Sequence, residues 1–197
     1  MKKSSILILI IICLVGCKKG SNETTITGEI KGLGTDTLYL YGMDELYDRI
    51  DTIYVENDKF SYTTSVDTIT SAYLLLKNRI EYPVFLDKGN KIKIKGDTIN
   101  LNFLTISGNI YNEEFTDFQK ALEDPADPSE KAGEETVDKR ITVEKANTAE
   151  EMAEEFILQH HSSYVSLYLL DKYFVQKETP DFSKIKKPVS YTHLRAH

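Results

Sequence analysis

From Thr24 to Gly108 the apolar residues fall in short runs, and in several of them they occupy every second position. In Lys91-Ile92-Lys93-Ile94-Lys95 the isoleucines take one side and the lysines the other, and Phe60 and Tyr62 alternate with Lys59, Ser61 and Thr63. That period belongs to a strand with one buried face. It predicts strands at Thr25–Lys31, Thr37–Tyr41, Ile50–Glu56, Lys59–Thr64, Ser71–Lys77, Tyr82–Asp87, Lys91–Lys95 and Phe103–Ser107. Ala72–Leu76 and Val84–Leu86 are apolar without alternation, which points to central strands buried on both faces. Turn residues separate the runs. Gly32-Leu33-Gly34 and Asp87-Lys88-Gly89-Asn90 tolerate positive φ, and Asn57-Asp58 predicts a tight hairpin. About eight strands without intervening helices predict an antiparallel β-sandwich or barrel over residues 24–108.

After Gly108 the period lengthens to that of a helix. Tyr111, Phe115, Phe118 and Leu122 form one stripe, which Pro125 and Pro128 end. Thr148 followed by Glu151 makes a capping box, so a second helix is expected to begin there with Met152, Phe156 and Gln159 on its inner edge beside Ile157. Ser162-Ser163 predict a break and a new N-cap. Tyr164, Leu167, Leu170 or Asp171, and Phe174 then continue an amphipathic helix toward Pro180. The fold class expected is therefore α+β: the β domain, then a helical linker segment over residues 109–187. Residues 188–197, ending Leu194-Arg195-Ala196-His197, resemble a translated sequencing-adapter tail and are expected to be non-native.

The N-terminus carries a different signal. Lys2 and Lys3 precede an apolar run from Ile6 to Val15, half the roughly 20 residues that a spanning helix needs. Leu14-Val15-Gly16-Cys17 resembles a lipobox. On that pattern residues 1–16 are a lipoprotein signal peptide, Cys17 is the lipidation site, and residues 17–23 are a lipidated tether to the membrane. Several acyl chains, at about 0.8 kcal/mol per buried CH₂, hold a protein stably where one chain holds it marginally. Lys18-Lys19 after the cysteine favour the periplasmic face of the outer membrane within the cell envelope.

Loss of Lys2 and Lys3 leaves 22 basic residues against 31 acidic ones, a mature charge of −9. Binding of nucleic acid through its phosphates is not expected of such a chain. Twelve acids and four bases lie in residues 123–155 alone, so the β half is nearly neutral. Those acids lack the spacing of a calcium loop and read as a solvated face. The only other cysteine, Cys13, leaves with the signal, and no thiol redox or thiolate metal chemistry remains in the mature residues. His160 and His161 are adjacent, about 100° apart on a helix, and do not make a metal pair. A charged histidine at a helix C-terminus is sufficient reason for them. No phosphate-binding glycine loop and no Ser, His and acid set is evident, so no catalytic, cofactor or metal site is expected. The chain also has twelve tyrosines. Tyr39, Tyr41 and Tyr54 are expected on the sheet face opposite Leu38, Leu40, Ile53 and Val55, either as half-buried strand formers or as a platform for a glycan or peptide.

Several local patterns carry a resemblance. They are Ile26-Thr27-Gly28-Glu29-Ile30, Asp36-Thr37-Leu38-Tyr39-Leu40, Asp51-Thr52 with Val55-Glu56-Asn57-Asp58-Lys59-Phe60-Ser61, Leu86-Asp87-Lys88-Gly89-Asn90 and Ile106-Ser107-Gly108-Asn109. In this order, residues 24–122 resemble the N-terminal domain of unknown function found ahead of thioredoxin-like thiol–disulfide oxidoreductases in Gram-negative lipoproteins. Asp58 departs from the glycine usual in that family. Glu150–Phe174 resembles the linker that leads into the thioredoxin-like domain. The resemblance implies a lipid-anchored, non-catalytic accessory module, with the Cys-x-x-Cys pair in a C-terminal thioredoxin-like domain missing from these residues. Two other readings remain: a fragment of the oxidoreductase itself, or a stand-alone lipoprotein that binds a glycan or peptide.

Overall fold

The computed structural model describes residues 22–43, 45–123 and 138–177, with Asn78 and residues 138–147 described by their backbone alone. Among these residues eight strands form: β1 (Glu23–Lys31), β2 (Asp36–Gly42), β3 (Ile50–Val55), β4 (Lys59–Ser65), β5 (Thr70–Leu75), β6 (Glu81–Leu86), β7 (Lys91–Asp97) and β8 (Thr105–Ser107). They make two four-stranded sheets, ordered β4-β1-β7-β8 (sheet A) and β3-β2-β5-β6 (sheet B). Pairing is antiparallel except between β1 and β7, which run parallel. Alternation along a strand does not reveal the direction of its neighbour. The fold is α+β, a sandwich followed by helices.

Ile26, Ile30, Phe60, Ile92, Ile94 and Ile106 project from sheet A into the core, and Leu38, Leu40, Ile53, Val55, Leu74 and Val84 meet them from sheet B. Gly28 lies directly opposite Phe60 across the β1–β4 pair, and a Cβ built on it would stand 2.1 Å from Phe60 Cζ. The ring thus occupies the space that a side chain on Gly28 would need.

The predicted hairpin joins β3 to β4, and so carries the chain from one sheet to the other. Asn57 and Asp58 have φ of 50° and 68°, as a two-residue type I′ turn requires. Asp58 adopts that conformation less readily than glycine, and hydrogen bonds hold it there. Its Oδ1 accepts from Gly34 N at 2.6 Å, its own N–H donates to Gly34 O at 2.9 Å, and its carbonyl accepts from Ile30 N at 2.9 Å.

Among the described residues three helices follow: α1 (Ile110–Glu123), α2 (Asp138–Gln159) and α3 (Tyr164–Leu170), the last running into a π turn over Asp171–Val175. Phe115 and Phe118 of the predicted α1 stripe are buried, with Tyr111 and Leu122 packed beside them. Ser163 caps α3 as expected, its Oγ accepting from Val165 N at 3.1 Å.

Four features differ from what the sequence predicts. The helix expected at Thr148 begins ten residues earlier, at Asp138. No proline lies between 138 and 148, and Lys139, Arg140, Glu144, Lys145 and Ala146 favour helix, so the capping pattern sits inside it. The buried edge of α2 is Ala153 and Ile157, with Met152 and Phe156 half-buried and Gln159 exposed. In α3 Leu167 is exposed while Val165, Tyr168 and Leu169 are buried, because a run as apolar as Tyr164–Leu170 does not mark its own inner face. Finally, β6 is not central. It is the last strand of sheet B, and its second face is apolar because Phe85 lies under the helices, its ring 6.2 Å from Phe115 and 6.3 Å from Tyr168. Pro83, which cannot donate to a ladder, was the sequence signal for an edge.

Candidate functional site

Helix α1 closes the side of the sandwich where β6 and β8 end their sheets. An edge strand leaves backbone groups unpaired, and here buried side chains take the place of a further strand. Asn112 Oδ1 accepts from Phe85 N at 3.0 Å and its Nδ2 donates to Phe85 O at 2.8 Å. One turn on, Thr116 Oγ1 accepts from Ile106 N at 3.0 Å and donates to Ile106 O at 2.9 Å. Asn109 N-caps the helix by accepting from Asn112 N at 2.9 Å, and its Nδ2 also reaches Phe85 O at 2.8 Å. Between the sheets, the Tyr82 hydroxyl accepts from Leu104 N at 3.0 Å and donates to Leu104 O at 2.8 Å. Asn112 and Thr116 are both buried.

The opposite side is polar and open. Tyr47 is buried beside Arg49, whose guanidinium lies 4.7 Å from the Tyr47 ring centroid. The Tyr47 hydroxyl donates to Asp51, and Arg49 Nε reaches the same carboxylate at 3.1 Å. Arg49 also donates to Thr64 and to Ser65 O, the latter at 3.1 Å, which ties sheet B to β4 of sheet A. Burial, with the Asp51 carboxylate adding to it, pushes the Tyr62 phenol up to about 12. A depression of about 420 Å³ next to this cluster is lined by Tyr41, Met43, Tyr47, Arg49 and Ile50. No periodicity in the sequence marks this cluster. Its trace is the run Tyr47-Asp48-Arg49-Ile50-Asp51, which interrupts an otherwise alternating stretch with opposite charges.

The tyrosine face is placed as expected. Leu38, Leu40, Ile53 and Val55 are buried, while Tyr54 is 73% and Tyr39 41% exposed on the other side of sheet B. Tyr41 is half-covered, its ring 5.7 Å from Tyr73 and its hydroxyl donating to Glu81. Burial comes first in raising the phenols of Tyr41 and Tyr73, and Glu81 adds to both. These groups are therefore protonated donors and stacking surfaces at neutral pH, and none is prepared to act as a base.

His160 ends α2 with its ring stacked on Phe156, centroids 4.3 Å apart, and its Nδ1 3.7 Å from Glu114 Oε1. Glu114 Oε2 in turn accepts from Ser163 Oγ at 2.5 Å, so the histidine joins α1, α2 and the start of α3. A groove of about 340 Å³ beside it is floored by Phe118, Met152 and Phe156 and rimmed by Glu114, Asp117 and Glu155. Among the described residues no three His, Cys, Asp or Glu gather where they could hold a metal ion. No described helix is long and apolar enough to cross a membrane. Cys17, the signal peptide, residues 124–137 of the acidic stretch and the 188–197 tail lie outside the described residues.

No curated protein and no solved structure matches the chain. A family model does match, over residues 24–115, from β1 into the first turns of α1 and past Asn112, whose amide seals β6. The family is described as a domain of unknown function, DUF4369, and residues 24–115 of this chain are similar to it.

Proposed function

We propose that this chain is a lipid-anchored accessory module of the bacterial cell envelope, held by acyl chains on Cys17 at the periplasmic face of the outer membrane. Its work is to position or contact a partner, and no bond chemistry is assigned to it. The partner favoured by the sequence resemblance is a C-terminal thioredoxin-like domain. One observation carries the reading. The lipobox cysteine stands six residues before β1, which begins at Glu23, so the folded domain follows the lipid directly. Six residues span at most roughly 20 Å, and the sandwich would sit on the membrane rather than range away from it. The sealed edges described above support a compact spacer, since an unsealed strand edge invites pairing with other chains.

Fractionation of cells producing the wild-type chain and Cys17→Ala tests the anchor. The wild-type chain is expected with the membranes and resistant to high-salt washing, and the variant is expected to keep its uncleaved signal and run larger on a gel. Wild-type chain in the soluble periplasmic fraction would refute the reading.

A further inference from the structure

The outer face of sheet A differs from the rest of the molecule in its charge and chemistry. Lys31, Lys59, Lys91, Lys93 and Lys95 stand on it against Glu23, Glu29 and Asp97, in a mature chain whose net charge is −9. These carboxylates are engaged, among them Glu29, 3.9 Å from Lys59 Nζ, and Asp97, whose Oδ1 accepts from Ile99 N at 2.9 Å. The remaining positions are largely hydroxyls. Thr25 and Thr27 neighbour Lys91 and Lys93 in register on β1, and Ser107 neighbours Lys93 on β8. Among the described residues no helix packs on this face, unlike the outer face of β6. Lys59, Lys93, Lys95 and Thr27 line a shallow depression of about 370 Å³.

Position adds to charge. β1 is the strand that follows the tether, and β7 runs parallel to it with Thr25 opposite Lys91. The lysine ladder therefore starts at the tethered end of the domain and extends about 13 Å along it, at roughly 3.3 Å per residue. A tether of six residues leaves this face within reach of the headgroup layer.

We infer that the Lys91-Lys93-Lys95 face of sheet A lies against anionic phospholipid headgroups, setting the orientation of the domain on its membrane. The inference rests on the anchored reading for its setting. Clustered lysines near an anionic surface are attracted within about a Debye length, and the contact weakens with salt.

The test couples the chain beginning at Cys17, through that thiol, to a maleimide lipid in vesicles, so that it does not depend on whether a bacterium acylates the cysteine. Lysine acetylation by a soluble reagent is then followed peptide by peptide. In vesicles containing phosphatidylglycerol, Lys91, Lys93 and Lys95 should react several-fold more slowly than in phosphatidylcholine vesicles. Half a molar salt should abolish that difference, and Lys77 and Lys120, away from this face, should react alike throughout. Equal rates on the two vesicles, or protection that salt leaves intact, would overturn the inference. An unmodified Cys17 in cells would instead count against the anchor alone.

Discussion

The two sides on which the sheets part are closed by unlike means. Between β3 and β4 the chain itself crosses, through a two-residue turn with a β-bridge between Glu56 and Lys59, and a polar cluster around Arg49 spans the gap in contact with water. Between β6 and β8 none of the described strands lies, and two buried side chains of α1 supply the hydrogen bonds. The difference lies in what water can replace. An exposed polar contact that is lost is remade with solvent, whereas a buried backbone group left without its partner bears its full desolvation cost.

The largest effect is therefore expected at Asn112. Asn112→Leu strands the N–H of Phe85 and leaves its C=O with the Asn109 amide alone, and chemical denaturation should show a loss of about 3 kcal/mol, with Thr116→Val losing about 2 kcal/mol by stranding Ile106. Losses below about 0.5 kcal/mol at both positions would mean that solvent reaches this edge. On the open side, Arg49→Met should cost about 1 kcal/mol or less, since exposed ion pairs contribute little. A larger cost would place the Arg49 cluster among the buried ones.

The smallest effect concerns pH. Asp36 starts β2 opposite Val55, and its carboxyl is held below the usual range, first by the Thr37 amide at 2.8 Å and also by Lys77 at 3.2 Å, against the opposing effect of burial. A carboxylate with a depressed pKa in the folded state adds stability above its ordinary value of 3.8, and that stability fades as pH falls through the lower folded value. Asp36→Asn should accordingly destabilise the protein slightly at pH 7 and by less at pH 3. A gap that widens in acid would contradict the assignment.

The strands were legible because each carries its own evidence. Lys91–Lys95 declares its faces by alternation, and Asn57-Asp58 declares its turn. What alternation omits is partnership. Nothing local tells β7 to lie parallel to β1, or tells Phe85 on β6 that helices will cover it. Asn112 and Thr116 were also illegible: polar residues on a helix read as solvent-facing, and only the apposed strand edges make them buried. In α3 the apolar content was too high for a stripe to stand out, and the exposure of Leu167 followed. The tyrosine face was readable from β2 and β3, because Leu38, Leu40, Ile53 and Val55 fix which side is inward. The Arg49 cluster depends on β4 crossing to the other sheet, which no single segment records.

The functional account depends on what is attached to one cysteine. Mass spectrometry of the N-terminal peptide from membrane-extracted protein should find a chain that starts at Cys17 and carries the added mass of its acyl chains. A peptide starting elsewhere, or an unacylated Cys17, would contradict the account.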